Sequence, residues 1–377
     1  MEGADQLTLN WRSVALACVL ASILVAQFYI LSRGIERRAS AWFTAFAVAI
    51  AITTIPMIIG FAGAYDIWPG LTFLPTDLTL LFGPLLLFHA RQLLDGAAPR
   101  GQYWLLAPGA IYWLYQLWAF TMLGDYRAKW AFNDAVHEPF VVPLVMVTAI
   151  ALSAWSLWEI LRMRRGYKAW LDANRSDGDD FEPTWIGHFI VLGVVAAAIW
   201  ALETALYLSL GLSYVDAFWW DLAVLAAIML LSLEALTRLT QPYPKMLAPD
   251  AVSIEQLVES ANTERERDWQ AEGERLRDQV IANGWHLESS LSLQTLSRRF
   301  GMNQAYVSRA LNQGLGTSFS HFVNALRVEH ARSMILREEV NLLDVALSSG
   351  FGSKASFNRA FKAHAGVTPS EYKRLNS

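Results

Sequence analysis

The chain has 377 residues, 54% of them hydrophobic, with 16 tryptophans and a formal net charge of −4. This composition is too apolar and aromatic for an ordinary soluble protein of this size, and it predicts membrane-spanning segments. The only cysteine, Cys18, excludes an intramolecular disulfide bond and any metal site that needs two cysteines. The net charge indicates no partner by itself, because the apolar residues before Gln241 and the charged residues after it differ strongly.

Seven apolar segments before residue 240 are long enough to cross a bilayer, which takes roughly 20 helical residues. The predicted spans are residues 12–32, 41–63, 71–93, 102–123, 140–162, 185–210 and 217–238. Six spans are the main alternative. A cleaved signal peptide is disfavoured because Glu2 and Asp5 precede a long apolar stretch that six further ones follow.

Basic residues between the spans predict the orientation, because Lys and Arg close to membrane ends stay in the cytoplasm. The loops after the first, third and fifth spans carry Arg33, Arg37, Arg38, Arg91, Arg100, Arg162, Arg164, Arg165, Lys168 and Arg175. The opposite side carries Arg12, Arg127 and Lys129. The N-terminus is therefore expected outside and the C-terminus inside.

Three carboxylates fall in the outward-facing third of predicted spans, namely Asp77, Glu203 and Asp221. Ionisable groups inside a bilayer are costly, so these residues are candidates for a ligand pocket that opens to the outside. The alternative is that each lies near the interface, hydrated or paired with a neighbouring polar side chain.

A proline-containing hinge, Gln241–Lys245, ends the seventh span, and amphipathic segments follow up to residue 284. Ile254, Leu257, Val258 and Ala261 recur at helical spacing, and a second stretch carries Trp269, Leu276 and Val280. The favoured interpretation is two helices that pack on the C-terminal domain; the alternative is a dimer seam.

Two consecutive helix pairs are predicted between Trp285 and the C-terminus. In the first pair, Ser292 caps a helix with Leu293, Leu296 and Phe300 on its apolar face, and Gly301 turns the chain. Asn303 then caps a second helix, whose outer face carries Gln304, Ala305, Ser308, Arg309 and Asn312. Such an outer helix has the geometry that enters a major groove.

The same pattern returns after a long helix at about residues 318–337. Asn341 caps the next helix, Gly350 turns the chain, and Ser353 starts a helix with Phe357 and Phe361 buried. Its outward residues are predicted to be Lys354, Ala355, Ser356 and Arg359. Thr368-Pro369-Ser370-Glu371 forms a capping box at the start of the last helix.

These C-terminal residues resemble the AraC/XylS family of transcription regulators. The resemblance covers about the last 95 residues and is carried by residues 293–301, 306–309, 322–332, 350–362 and 366–372. It implies that two recognition helices enter successive major grooves on one face of the DNA. Two departures limit prediction of the DNA sequence: Ser297 replaces a small alanine, and Ala305 and Ala355 offer only methyl groups.

The resemblance makes Gln304, Ala305, Ser308, Arg309, Ser353, Lys354, Ala355, Ser356 and Arg359 the candidate DNA-binding residues. Arg309 and Arg359 are expected to contribute most, either to guanine edges or to phosphates. Lys354, Lys362, Lys373 and Arg374 are candidate phosphate contacts. The residues from Trp285 onward hold 11 Lys and Arg against 6 Asp and Glu, so basic charge is concentrated where DNA would bind.

The predicted fold is all-α: a seven-helix membrane domain (1–240), a hinge with amphipathic linker helices (241–284) and a tandem helix-turn-helix domain (285–377). We expect an inner-membrane, one-component transcription regulator with a cytoplasmic C-terminal domain. Its expected partners are double-stranded DNA, the lipid bilayer and an unknown small-molecule or membrane-derived signal, with a homodimer as an option. No cofactor, metal site or enzymatic motif is predicted. The alternative is a membrane transporter or enzyme with a regulatory DNA-binding tail.

Overall fold

In the computed structural model, the described residues are 10–33, 36–96, 101–181, 187–188, 191, 218–237, 243–246, 268–336 and 341–376. Within these ranges the chain is helical and contains no strand, which confirms the all-α prediction for the part described. The chain divides into two compact units. The first unit comprises Met1–Arg164 and Pro183–Lys245, and the second comprises Arg165–Glu182 and Met246–Ser377.

The helices that begin in the first unit are numbered here in chain order among the described residues. They are α1 (Trp11–Arg33), α2 (Arg37–Phe61), α3 (Ala64–Ile67), α4 (Phe82–Leu94), α5 (Ala107–Met122), α6 (Tyr126–Phe132), α7 (Val142–Asn174) and α8 (Phe218–Thr237). Short 3-10 helices lie at Pro69–Phe73, Thr79–Leu81 and Tyr103–Leu106, and a π-helix at Asn133–Val141 joins α6 to α7. The unit boundary falls inside α7, after Arg164.

Four stretches of the described residues are long and apolar enough to cross a membrane. They are Trp11–Arg33, Arg37–Phe61, Tyr126–Asn174 and Phe218–Leu236. The third predicted span, 71–93, is wrong as a single helix: two 3-10 turns precede α4, and residues 74–78 between them are not helical. Pro75 cannot donate a helical hydrogen bond, and Asp77 accepts one from the backbone N–H of Thr79 instead. The sixth predicted span, 185–210, lies almost wholly outside the described residues.

The core of the first unit forms where α1 packs against α2 and α8. At its centre the Gln27 side-chain amide donates to the Ser232 hydroxyl at 2.8 Å, and Thr44 donates to the Gln27 side-chain oxygen at 3.2 Å. A buried amide left without partners would be costly, so this network fixes how the three helices meet.

The two ends of α1 lie beside different neighbours within this unit. At its start, the side chain of Asn10 donates to the carbonyl of Phe61, where α2 ends, at 2.7 Å. Beyond its end, the Glu36 carboxylate accepts from the backbone N–H of Tyr243 at 2.9 Å and forms an ion pair with Lys245. Lys245 also donates to the carbonyl of Leu93 at 2.6 Å. The segments after α1, α4 and α8 therefore meet at one end of the unit.

The second unit contains seven described helices beyond α7. They are α9 (Trp269–Ala282), α10 (Leu293–Phe300), α11 (Gln304–Arg309), α12 (Phe319–Ile335), α13 (Leu342–Ser348), α14 (Lys354–Ala365) and α15 (Pro369–Asn376). They form two apolar cores. The first is built around α10 and α11, the second around α13 and α14, and α12 contributes Phe322 and Val323 to the first but Val328 and Ile335 to the second.

The helix caps and the first turn predicted for the two pairs are confirmed. Ser292, Asn303 and Ser353 each accept a hydrogen bond from the backbone N–H three residues later, at 3.1, 2.7 and 3.1 Å. Gly301 ends α10 with a left-handed φ of 66°. These signals depend on local backbone geometry, which is why the sequence predicts them well.

Of the two linker helices predicted to pack on the C-terminal domain, the second is confirmed. Leu276 and Val280 of α9 are buried in the first core, and Trp269 packs against it. The stretch from Ile254 to Ala261 lies outside the described residues.

Gly350 and Gly301 provide a matched pair of substitutions. Both have a left-handed φ, of 84° and 66°, but a Cβ on Gly350 would lie 2.6 Å from the carbonyl oxygen of Leu287, whereas one on Gly301 meets nothing within 4 Å. We expect Gly301→Ala to cost about 1 kcal/mol from the left-handed conformation alone. Gly350→Ala is expected to cost at least about 1 kcal/mol more, because backbone must also move. Chemical denaturation of both variants measures the difference; equal losses would contradict the close approach at Gly350.

Candidate nucleic-acid interface

The first outward helix, α11, presents a short polar face. Gln304 and Ala305 are exposed, while Ser308 and Arg309 are half-buried. The Asn312 side chain donates to the Ser308 hydroxyl at 3.2 Å across one turn. The helix passes directly into a π-type turn at Ala310–Gly314, so only about two helical turns offer side chains to a partner.

The second outward helix, α14, presents Lys354, Ala355 and Arg359 to solvent, as predicted. The predicted exposure of Ser356 is wrong, because only 6% of this residue is accessible. Its hydroxyl lies 3.0 Å from the Ser353 hydroxyl and donates to the Ser353 carbonyl at 2.9 Å. Ser356 therefore stabilises the start of the helix, and Asn358, which the sequence analysis did not select, is exposed instead.

The candidate phosphate contacts lie at the end of α14 and on α15. Lys362 and Arg374 are exposed and Lys373 is half-buried. The predicted capping box at the start of α15 is confirmed: the Thr368 backbone N–H donates to Glu371 at 2.8 Å, and the Glu371 N–H donates to Thr368 at 3.3 Å. These contacts fix the orientation of the helix that carries Lys373 and Arg374.

Arg327 of α12 is a buried arginine that the sequence analysis did not identify as special. Only 1% of it is accessible, and its guanidinium donates to the carbonyls of His286 at 2.7 Å and Glu288 at 2.6 Å, and to the Ser176 hydroxyl at 2.9 Å. Burial lowers the pKa of Arg327 to about 10, against the opposing effect of the Asp177 and Asp180 charges. The group stays charged near neutral pH and joins three separate parts of the second unit.

Residues 175–180, which follow α7, pack on the second outward helix. The Ser353 hydroxyl donates to the Asp180 carboxylate at 2.8 Å. The Arg359 guanidinium donates to the Asp179 carboxylate at 3.4 Å and to the Asp179 carbonyl at 3.3 Å. Two candidate DNA-binding residues thus have acidic partners within the chain, about 180 residues away in sequence.

Comparison with known proteins concerns this C-terminal part. Residues 296–375 match the family described as a helix-turn-helix domain. This part of the chain is a helix-turn-helix domain. Its relatives include an uncharacterized HTH-type transcriptional regulator of Staphylococcus aureus (strain MSSA476), 38% identical over 88 residues, which are 23% of this chain and 12% of that protein. The chain therefore spans about an eighth of the length of that relative.

Two further matches also cover less than a third of this chain. The uncharacterized transcriptional regulatory protein YesN of Bacillus subtilis (strain 168) is 37% identical over 75 residues, 19% of this chain and 20% of that protein. The C-terminal domain of AraT, a response regulator from Geobacillus stearothermophilus, is 29% identical, with coverage of 27% of this chain and 84% of that chain and a TM-score of 0.26.

Among the candidate ligand-pocket carboxylates, Asp77 has a defined set of hydrogen-bond partners. Asp77 accepts hydrogen bonds from the Thr79 hydroxyl and from the Tyr112 hydroxyl, the latter at 3.3 Å, and its backbone pairs with the side chain of Gln116. Asp221 lies in the first turn of α8. Glu203 lies outside the described residues. Asp77 is thus paired with neighbouring polar side chains, as in the alternative stated from the sequence.

Proposed function

We propose that this chain is a one-component transcription regulator of the inner membrane, with its first unit in the bilayer and its helix-turn-helix domain on duplex DNA in the cytoplasm. The observation that carries the DNA part is the pair of capped, outward helices α11 and α14 within the matched residues. We assign Gln304, Ala305, Ser308, Arg309, Ser353, Lys354, Ala355 and Arg359 to the DNA surface, and Lys362, Lys373 and Arg374 to phosphates.

Membrane embedding is supported by the surface of the first unit. Several of its long helices expose large apolar side chains, such as Phe28 at 75%, Leu144 at 67% and Leu230 at 61%. Scattered apolar residues are normal on a soluble protein, but extended apolar faces on helices long enough to span a bilayer favour lipid as the solvent. Trp11, Trp104 and Trp219 are also exposed near helix ends, where indole groups favour the membrane interface.

The contacts of Lys245 support one feature of the predicted topology: the segments after α1, α4 and α8 meet at one end of the first unit, as they must if all three lie on the same side of the membrane. The loop arginines and lysines assign that side to the cytoplasm. The signal and the sensing site stay proposals, with Asp77, Glu203 and Asp221 as the residues to replace first. A homodimer is likewise a proposal, with Ile254, Leu257, Val258 and Ala261 as its candidate seam, since Leu276 and Val280 are buried in the first core.

We expect the full-length chain to fractionate with membranes and, in lipid nanodiscs, to select one sequence class from a random duplex library. Contacts from Lys and Arg release counterions, so the affinity should fall steeply between 50 and 200 mM salt, by about tenfold or more for several phosphates. Fluorescence anisotropy with the selected duplex and with a scrambled one measures both effects. Equal affinity for the two duplexes would contradict the proposed role as a sequence-specific regulator. Recovery of the chain in the soluble fraction would contradict the proposed membrane location.

A further inference from the structure

The residues that cover α14 belong to the continuation of a predicted transmembrane helix. α7 has 33 residues and is therefore about 50 Å long, whereas the hydrocarbon core of a bilayer is about 30 Å thick. Its C-terminal part carries Arg162, Arg164, Arg165 and Lys168, so this part lies beyond the apolar core. The acidic segment, defined here as residues 177–180, follows directly after α7 ends at Asn174.

The acidic segment is held in a defined conformation. Arg175 forms two hydrogen bonds with the Asp177 carboxylate, both at 2.7 Å, and its guanidinium lies 5.3 Å from the centre of the Phe181 ring. Ser176 donates its backbone N–H and its hydroxyl to the carbonyl of Leu291, at 3.2 and 2.8 Å. The buried Arg327 then donates to Ser176. A segment anchored in this way loses little further entropy when its carboxylates contact α14.

The carboxylates lie where the backbone phosphates of DNA are expected. Helix N-termini attract anions through unpaired N–H groups and the helix dipole, and proteins use them for contacts to DNA phosphates. Asp180 binds Ser353, the N-cap of α14, and the Asp179 carboxylate and carbonyl accept from Arg359 on the outward face. The Asp180 carboxylate at the start of α14 and the Asp179 carboxylate at Arg359 therefore occupy two positions where a DNA strand would place phosphate oxygens.

We infer that the acidic segment is an autoinhibitory element, which contacts Ser353 and Arg359 on the DNA-binding side of α14 and is displaced when DNA binds. The inference rests on the proposed function and states how DNA binding by α14 is regulated. A signal that moves α7 changes the position of the acidic segment, because the two are covalently continuous. Because DNA and the acidic segment compete for Ser353 and Arg359, the DNA affinity then depends on the position of α7. Signalling requires such a difference in affinity between two states.

The test compares two variants of the full-length chain in lipid nanodiscs at one fixed salt concentration. Asp179→Asn with Asp180→Asn removes two charges from the acidic segment. Asp278→Asn with Glu329→Gln removes two charges at exposed sites that do not contact α14. The probe is the duplex selected from a random library by whichever form binds best, with its scrambled counterpart. We expect about tenfold higher affinity for the first variant than for the unmodified chain, which corresponds to about 1.4 kcal/mol, and less than a twofold change for the second.

Each other outcome overturns the inference in a distinguishable way. Equal, sequence-specific binding by the unmodified chain and the first variant refutes autoinhibition and leaves the proposed function standing. An equal gain in both variants assigns the effect to net charge alone. Absence of sequence-specific binding by every form refutes the inference together with the proposed function.

Hydrogen exchange on the unmodified chain provides a second measurement, which does not depend on how the variants fold. Peptides that cover residues 175–181 should exchange faster when the selected duplex is bound, because DNA displaces the acidic segment. Unchanged exchange there, with protection gained on α14, would show that DNA and the acidic segment bind together and would overturn the inference.

Discussion

Arg327→Met is expected to destabilise the second unit by about 3 kcal/mol or more. The methionine side chain fills most of the volume of arginine but donates no hydrogen bond, so it leaves the carbonyls of His286 and Ser176 without the donor that Arg327 supplies. A buried polar group left unpaired costs about 1–3 kcal/mol, and more than one is affected here. Hydrogen exchange under native conditions, read on peptides from α9 to α12, measures the loss within the full-length chain.

The matched control is Arg277→Met on α9. Arg277 has an exposed side chain and forms a surface ion pair with Asp278, which contributes little to stability. We expect a change of less than about 0.5 kcal/mol. Arg327→Lys tests whether the positive charge alone stabilises the unit, because lysine keeps the charge but cannot donate to several acceptors at once. Losses of similar size for Arg277→Met and Arg327→Met would contradict the central role of the buried guanidinium.

Arg309→Gln combined with Arg359→Gln is expected to remove the preference for the selected duplex. An arginine with two hydrogen bonds to guanine contributes about 1–3 kcal/mol of discrimination, so two such contacts would contribute about 2–6 kcal/mol, or at least about 30-fold. The change should lower binding to the selected duplex and leave binding to scrambled DNA much less affected. Competition binding with both duplexes measures the ratio.

Lys373→Gln with Arg374→Gln is the matched control for charge. These residues are proposed to contact phosphate, so their loss should weaken binding to every duplex by a similar factor and reduce the salt dependence. The arginine pair should also be tested with Asp179→Asn and Asp180→Asn present, because loss of Arg359 removes an inhibitory contact as well as a DNA contact. If both pairs of substitutions lower affinity without changing the ratio, Arg309 and Arg359 contact only phosphate.

The sequence predicted local features of the helix-turn-helix domain well. Ser292, Asn303 and Ser353 cap helices, and Gly301 turns the chain, because each role depends on a few neighbouring backbone atoms. Ser356 shows the limit of helical periodicity. Its position in the first turn lets the hydroxyl bond back to Ser353, so it is buried although the helical pattern places it outward.

The long-range contacts had no signal in a single sequence. Asp179 and Arg359 are 180 residues apart, and neither is unusual in its own segment, where each suits a solvated loop or helix face. Arg327 resembles any arginine in an amphipathic helix until the carbonyls around it are known. The sequence analysis did not predict the non-helical residues 74–78, because an apolar run indicates burial in lipid but does not show whether the helix is continuous.

The position of α12 also bears on how binding sites can be arranged along DNA. Since this helix contributes side chains to both apolar cores, the two halves of the helix-turn-helix domain cannot slide or rotate apart without disrupting packing in each. B-DNA turns by about 34° per base pair, for about 10.5 base pairs per turn. The domain therefore holds α11 and α14 at a fixed spacing and rotation. A promoter can vary in its bases, but an insertion of half a helical turn between the two contacted major-groove segments turns one of them away from the domain.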